Sequence, residues 1–205
     1  MDLNEIFQKI DKYRANSGEA EQIRAFSILI PLIEKSDGIH LLFEVRSLQL
    51  RRQPGEICFP GGRLEPSDAS PLACAIRETS EELGISEQAI SHVKPLDEIK
   101  QPLGRRIIYP FVGTIAPGVT LNPDPDEVKE IFTVPLKFFL QNKPERFTIH
   151  FKVEPEDNFP FHLIPGGKNY KWHTRSMEEY FYRYGEYTIW GLTANIVRRF
   201  IKIIQ

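Results

Sequence analysis

Residues 77–85 read RETSEELGI, which places three carboxylates, Glu78, Glu81 and Glu82, and one cation, Arg77, in little more than two helical turns ahead of a glycine. Side chains three and four residues apart on a helix stand side by side, and like charges so placed repel by about 0.2–0.5 kcal/mol per pair. The carboxylates also fall in the last two turns, where the helix dipole disfavours anions by about 0.3–1 kcal/mol. Arg77 is spaced to offset Glu81, four residues on. A solvated surface helix would gain by carrying Lys or Arg at this end. The arrangement makes better sense with a divalent cation as the missing partner: clustered carboxylates without His or Cys are hard oxygen ligands suited to Mg2+ or Mn2+.

These side chains need a helix to carry them, and the local sequence supplies its start and stop. Ser70 can cap a helix whose first residue is Pro71, a position where the missing N–H costs nothing. The helix is expected to run to Leu83 and stop at Gly84, the preferred left-handed terminator. Leu72, Ile76, Thr79 and Leu83 then share one face, with the glutamates on the other. Just upstream, FPGG (59–62) followed by Arg63 lets the backbone approach a neighbour closely, because glycine has no β-carbon.

Around this unit the chain reads as alternating strands and turns. Leu3, Ile6, Phe7 and Ile10 predict an amphipathic helix over about 2–14. AFSILIPLI (25–33) and IHLLFEVRS (39–47) read as a hairpin across EKSDG, with a short strand at 56–59. Further strands are expected at 92–99, 105–116 and in RFTIHFKVE, with a strand and a short helix in EVKEIFTVPLKFFL. EDNFPFHLIPGGKNYKWHT reads as loop, and the chain closes on a helix through Leu192, Ile196, Val197, Phe200 and Ile203. Strands before and after one central helix, with a terminal helix, argue a single α+β domain over 1–205.

Composition narrows the partners. A formal charge of −2 gives no general drive toward nucleic acid or an anionic membrane, so a phosphate-bearing ligand must be met by local basic residues. Cys58 and Cys74 are the two cysteines, in no metal-ligand spacing, and are read as free thiols of a reducing compartment. The mixed charges of the first residues do not read as a secretory signal. A soluble cytoplasmic protein is the expectation.

The segment GGRLEPSDASPLACAIRETSEELGI resembles the Nudix box, G-x5-E-x7-R-E-U-x-E-E-x-G-U, with U a bulky aliphatic residue. Arg77, Glu78, Glu81, Glu82, Gly84 and Ile85 match its second half, while Thr79 stands where an aliphatic is usual. The leading acid would fall on Ala69. One extra loop residue restores the match, with Asp68 as the acid and Gly62 as the glycine. That longer loop, together with LLFEVRSLQLRRQPGEICFPGG (41–62), is similar to the Nudix subfamily that hydrolyses coenzyme A and its thioesters.

The resemblance implies a Nudix-like α/β/α sandwich with a mixed central sheet and a loop-helix carrying the catalytic site. It also implies hydrolysis of a diphosphate with Mg2+ or Mn2+, giving 3′,5′-ADP and 4′-phosphopantetheine or its acylated form. Glu81 and Glu82 would be the main metal ligands, with Glu78 a further ligand or the base acting on water. Arg77 would hold the glutamates, the Gly62 carbonyl would complete the metal sphere, and Glu127, or Glu130, would add a distant acid. Arg46, Arg51, Arg52 and Arg63 are the candidates for substrate phosphates, since arginine's fork suits such groups. Two other readings stay open: a Nudix enzyme acting on ADP-ribose, dinucleotides or other nucleoside diphosphate derivatives, and a nucleotide-binding module without catalysis. The aromatic-rich stretch 156–180 is open to covering a pantetheine arm, to a homodimer contact, or to being a plain loop.

Overall fold

The computed structural model describes residues 2–16, 23–101 and 105–205. Its contacts divide the chain into two compact units: one takes in residues up to Leu32 and Pro60–Asp124, the other Ile33–Phe59 and Pro125–Gln205.

In the first unit, α1 (Leu3–Asn16) precedes β1 (Arg24–Lys35), whose last residues pass into the second unit. Then come β4 (Gly61–Arg63), α2 (Pro71–Leu83), β5 (Ile90–Pro95), β6 (Ile99–Gln101) and β7 (Arg106–Ile115). β1 is the organising strand. It pairs in parallel with β7, Phe26 opposite Ile108 and Leu29 opposite Phe111, and antiparallel with β4, Ser27 opposite Gly62. β5 and β6 both add antiparallel to β7. The sheet is therefore mixed, as expected. Its β-branched and aromatic strands bury Leu29, Ile30, Ile108, Phe111 and Ile115. The apolar residues of α1 find no such cover: Leu3, Phe7 and Ile10 are exposed, so the amphipathic spacing here does not mark a core face.

The second unit holds β2 (Gly38–Arg46), β3 (Ile57–Cys58), β8 (Val128–Pro135), α3 (Leu136–Gln141), β9 (Glu145–Phe151), β10 (Arg175–Tyr184), β11 (Tyr187–Trp190) and α4 (Gly191–Ile204). β2 lies between β8 and β3, antiparallel to both. Phe43 in β2 stacks with Phe59 at 4.7 Å and Phe132 at 5.4 Å between ring centroids. β9, β10 and β11 form a separate antiparallel sheet in the order β11-β10-β9. α4 buries Thr193, Ala194, Ile196, Val197, Phe200 and Ile201, while Ile203, placed on the same face by periodicity, is exposed. The stretch between β9 and β10 contains two short 3-10 turns, Phe161–Leu163 and Gly167–Asn169. No helix of the described residues is long and apolar enough to cross a membrane.

Candidate active site

Helix α2 begins and ends where the sequence places it. Ser70 is extended and its Oγ accepts the Ala73 N–H at 3.1 Å, Pro71 opens the helix, and Gly84 closes it at φ +60°. A cap of the Ser70 kind contributes about 1 kcal/mol. The Leu83 carbonyl accepts the Asn122 N–H at 2.9 Å, which pins the helix end to the strand-free segment after β7.

The buried face of α2 differs from the periodic expectation. Cys74, Ala75, Thr79, Glu82 and Leu83 are buried, whereas Leu72 is 37% exposed. The close approach of β4 explains the rotation. Gly62 comes up against α2 on the side of Cys74 and Glu78, Gly61 meets it at Glu82, and the missing side chain of Gly62 permits close approach. A β-carbon on Gly62 would lie 2.2–2.3 Å from the Glu78 carboxyl atoms, and one on Gly61 would lie 2.3 Å from the Ser27 carbonyl oxygen. Gly61 also holds φ at +147°, a conformation that side-chain-bearing residues rarely adopt. Thr79, in place of an aliphatic, is buried and satisfied because its hydroxyl donates to the Ala75 carbonyl at 2.6 Å.

The three glutamates have distinct surroundings. Glu82 is only 5% exposed and accepts the Gly61 N–H at 2.7 Å. Glu78 is half-buried over Gly62 and receives Arg77 Nη2 at 2.8 Å. Glu81 stands out in solvent and receives Arg77 Nη1 at 3.0 Å.

Arg77 is the hub of this arrangement. Its strongest partner is Asp68, which receives Nε at 2.9 Å and Nη2 at 3.1 Å in a two-pronged pair. Sequence spacing pointed to Glu81 alone. The Asp68 contact spans a loop, where helical periodicity carries no information, and the one signal for it is the acidic position that the Nudix resemblance assigns. The Arg77 guanidinium, with a further hydrogen bond from the Glu65 N–H, holds the Asp68 carboxyl down at about 2. Asp68, followed by Glu78, raises Arg77 above its already high value. Burial, then the Asp68 and Glu78 charges, pushes the Cys74 thiol up to about 11. Cys74 is thus an inert buried residue beside the site.

Among the described residues, no three His, Cys, Asp or Glu side chains converge closely enough to hold a metal ion as they are placed. The donor set nevertheless fits a hard divalent cation. Two carboxylates are brought to one glycine pair, the Glu78 carboxylate fills the space that a β-carbon on Gly62 would take, and all ligand atoms are oxygen.

The remaining candidates divide between the units. Arg63 is exposed at the end of β4, in the same unit as the glutamates. Arg46, Arg51, Arg52 and Glu127 belong to the second unit. There Arg46 ends β2 opposite Val128, and the Ser47 N–H donates to the Glu127 carbonyl at 2.8 Å, so Arg46 and Glu127 are neighbours. The Nε of Arg46 is buried with no hydrogen-bond partner among the described residues. Arg51, Arg52 and the Glu127 side chain are exposed.

A sheet of mixed strands bearing a glycine turn and a glutamate-rich helix is the Nudix arrangement. The model of the NUDIX domain family matches residues 23–157, and the chain belongs to that family. Among its relatives, the peroxisomal coenzyme A diphosphatase NUDT7 of Mus musculus is 41% identical over 118 residues. The match takes in 56% of this chain and 48% of the mouse protein, so the chain spans about half the length of that relative. The uncharacterized Nudix hydrolase NudL of Photorhabdus laumondii is 32% identical over 182 residues, 89% of this chain and 86% of that protein. The structure of a MutT/nudix family protein from Enterococcus faecalis covers 100% of this chain and 70% of its own, with a TM-score of 0.56 and 18% identity. That likeness speaks for the fold alone.

Proposed function

We propose that the chain hydrolyses the diphosphate of coenzyme A or acyl-coenzyme A, giving 3′,5′-ADP and 4′-phosphopantetheine or its acylated form. The observation that carries the reaction class is the seating of Glu78 and Glu82 against Gly61 and Gly62 at the start of β4, with Arg77 anchored by Asp68. The substrate rests on the 41% identity with the mouse coenzyme A diphosphatase and on the longer loop at Asp68. Extension of the NUDIX match across parts of both units supports reading 1–205 as one functional domain.

Each residue then has a defined task. Glu81 and Glu82, with Glu78 and the Gly62 carbonyl, would hold Mg2+ or Mn2+, with Glu127 as the distant acid. Such an ion lowers the pKa of bound water and neutralises charge on the diphosphate oxygens. The Gly61 N–H fixes the direction of the Glu82 carboxylate. Glu78 serves as a further ligand or takes the proton from the attacking water, whose oxygen bonds to one phosphorus as the bridging oxygen leaves with the other. Asp68 keeps Arg77 in place, and Arg77 sets the spacing of Glu78 and Glu81. Arg46, Arg51, Arg52 and Arg63 would bind the phosphates. The buried, unpartnered Nε of Arg46 supports its share, since such a donor gains most from an anionic acceptor.

A cytoplasmic location belongs to the same proposal and is supported by the two free thiols; cell fractionation tests it. The substrate is tested by kcat/KM on coenzyme A, an acyl-coenzyme A, ADP-ribose and a dinucleoside polyphosphate with Mg2+ or Mn2+. Coenzyme A or its thioester is expected to lead, and a clear preference for ADP-ribose would reassign the substrate.

A further inference from the structure

A cavity of about 480 Å³ opens in the second unit between the end of α3, the turn into β9, strand β10 and the C-terminal half of α4. Its size lies within the range of small-molecule sites, roughly 300–1,000 Å³. None of the residues considered above for catalysis lines it. Its charge is one-sided: Lys143, Arg146, Arg198 and Lys202 all contribute to the wall. Arg146 is met by Glu178 at 3.0 Å, and the same carboxylate accepts the Tyr180 hydroxyl at 2.5 Å. Lys143 and Lys202 have no ion-pair partner among the described residues, and both are exposed.

Arg198 is the most informative member. Its guanidinium lies over the Tyr180 ring, 4.5 Å from the centroid, and its Nη2 donates to Asn195 Oδ1 at 3.2 Å. Its Nε is buried and finds no acceptor among the described residues. A buried charged donor without an acceptor is costly, and a stacked guanidinium is already ordered for planar recognition. Phe139, Leu140 and Ile201 give part of the wall an apolar surface, beside the polar Gln141, Asn142 and Gln205. The carbonyl ends of α3 and α4 both oppose an anion here, although in α3 the Leu140 carbonyl accepts the Gln205 side-chain amide at 3.4 Å. Four cations against one paired carboxylate outweigh that effect.

We propose that this cavity is a second ligand site, separate from the glutamate-bearing loop-helix, for a phosphate ester of about nucleoside monophosphate size. Arg198 and the two lysines take the phosphate, and the apolar wall takes the ring-bearing body. The site stands or falls independently of the coenzyme A reading, because it is read by binding with no metal present.

The test is calorimetric titration of the full chain in EDTA with AMP, inorganic phosphate and adenosine. AMP is expected to bind more tightly than inorganic phosphate, adenosine not to bind, and the affinity for AMP to fall with added salt. A Lys143→Glu/Lys202→Glu variant changes two exposed side chains and should fold. It is expected to lose AMP affinity roughly tenfold or more while keeping metal-dependent hydrolysis unchanged. Arg198→Lys, which keeps the charge and loses the planar Nε donor, is expected to weaken AMP as well. Absence of AMP binding to the wild-type protein, AMP affinity unchanged in the double-lysine variant, or adenosine binding as well as AMP would overturn the proposal.

Discussion

Gly62→Ala isolates the seat of Glu78 from the stability of the fold. The new β-carbon would lie 2.2 Å from Glu78 Cδ, against about 3.4 Å for ordinary van der Waals contact, so the carboxylate must retreat by about 1.2 Å. That atom is the far end of a flexible side chain and can move. Gly62 is not in the left-handed region, so alanine is tolerated by the backbone and by itself adds about 0.4–1 kcal/mol through the unfolded chain. Loss of the half-buried Arg77–Glu78 contact offsets this by an amount of the same order, leaving a net change within about 1 kcal/mol. A displacement of this size in a catalytic group costs on the order of 10²-fold in rate. Urea denaturation and steady-state hydrolysis of coenzyme A, read on the same preparation, check both halves. Gly61→Ala is the contrast, since its β-carbon meets fixed backbone of Ser27 and Ile28 at φ +147° and should damage the fold itself. A folded Gly62→Ala protein with wild-type kcat/KM would refute the placement of Glu78 in the machinery.

Three other outcomes follow from the same geometry. Ser70→Ala should cost about 1 kcal/mol by removing the Oγ that caps α2, measured by chemical denaturation. Asp68→Asn should lose an acid-dependent contribution: the folded pKa lies near 2, below the ordinary 3.8, so the stabilisation is full above about pH 4 and fades as pH falls toward 2. The gap between wild type and variant in urea midpoint should therefore be constant at neutral pH and close in acid, whereas a gap independent of pH would contradict the pairing. Cys74, buried and held near 11, should resist iodoacetamide at pH 8 in the folded protein and react on unfolding, followed by peptide mass spectrometry.

The loop-helix was legible because its signals are local. A capping serine, a proline at the first turn and a terminating glycine are chemistry within one element, and the boundaries of α2 follow them. The strands of β7, β8 and β9 were readable from runs of β-branched and aromatic residues. What failed depended on distant packing. Leu72 was placed on the buried face by spacing, but α2 turns its Cys74 and Glu82 side to the glycines of β4 and buries Cys74 and Ala75 instead. The burial of Glu82 could not be read from its helix, because the N–H that satisfies it is 21 residues away in sequence. Asp68 likewise pairs with Arg77 across a loop. In α1 the pattern was present and the burial was not.

Identification of the products decides whether this chain splits the coenzyme A diphosphate. Purified protein is incubated with coenzyme A and Mg2+ or Mn2+, beside Glu82→Gln, and the mixture is resolved by chromatography and mass spectrometry. The wild-type chain is expected to yield 3′,5′-ADP and 4′-phosphopantetheine in equal amounts, with a large loss of both in the variant. Intact coenzyme A under all metal conditions, or undiminished cleavage by Glu82→Gln, would contradict it.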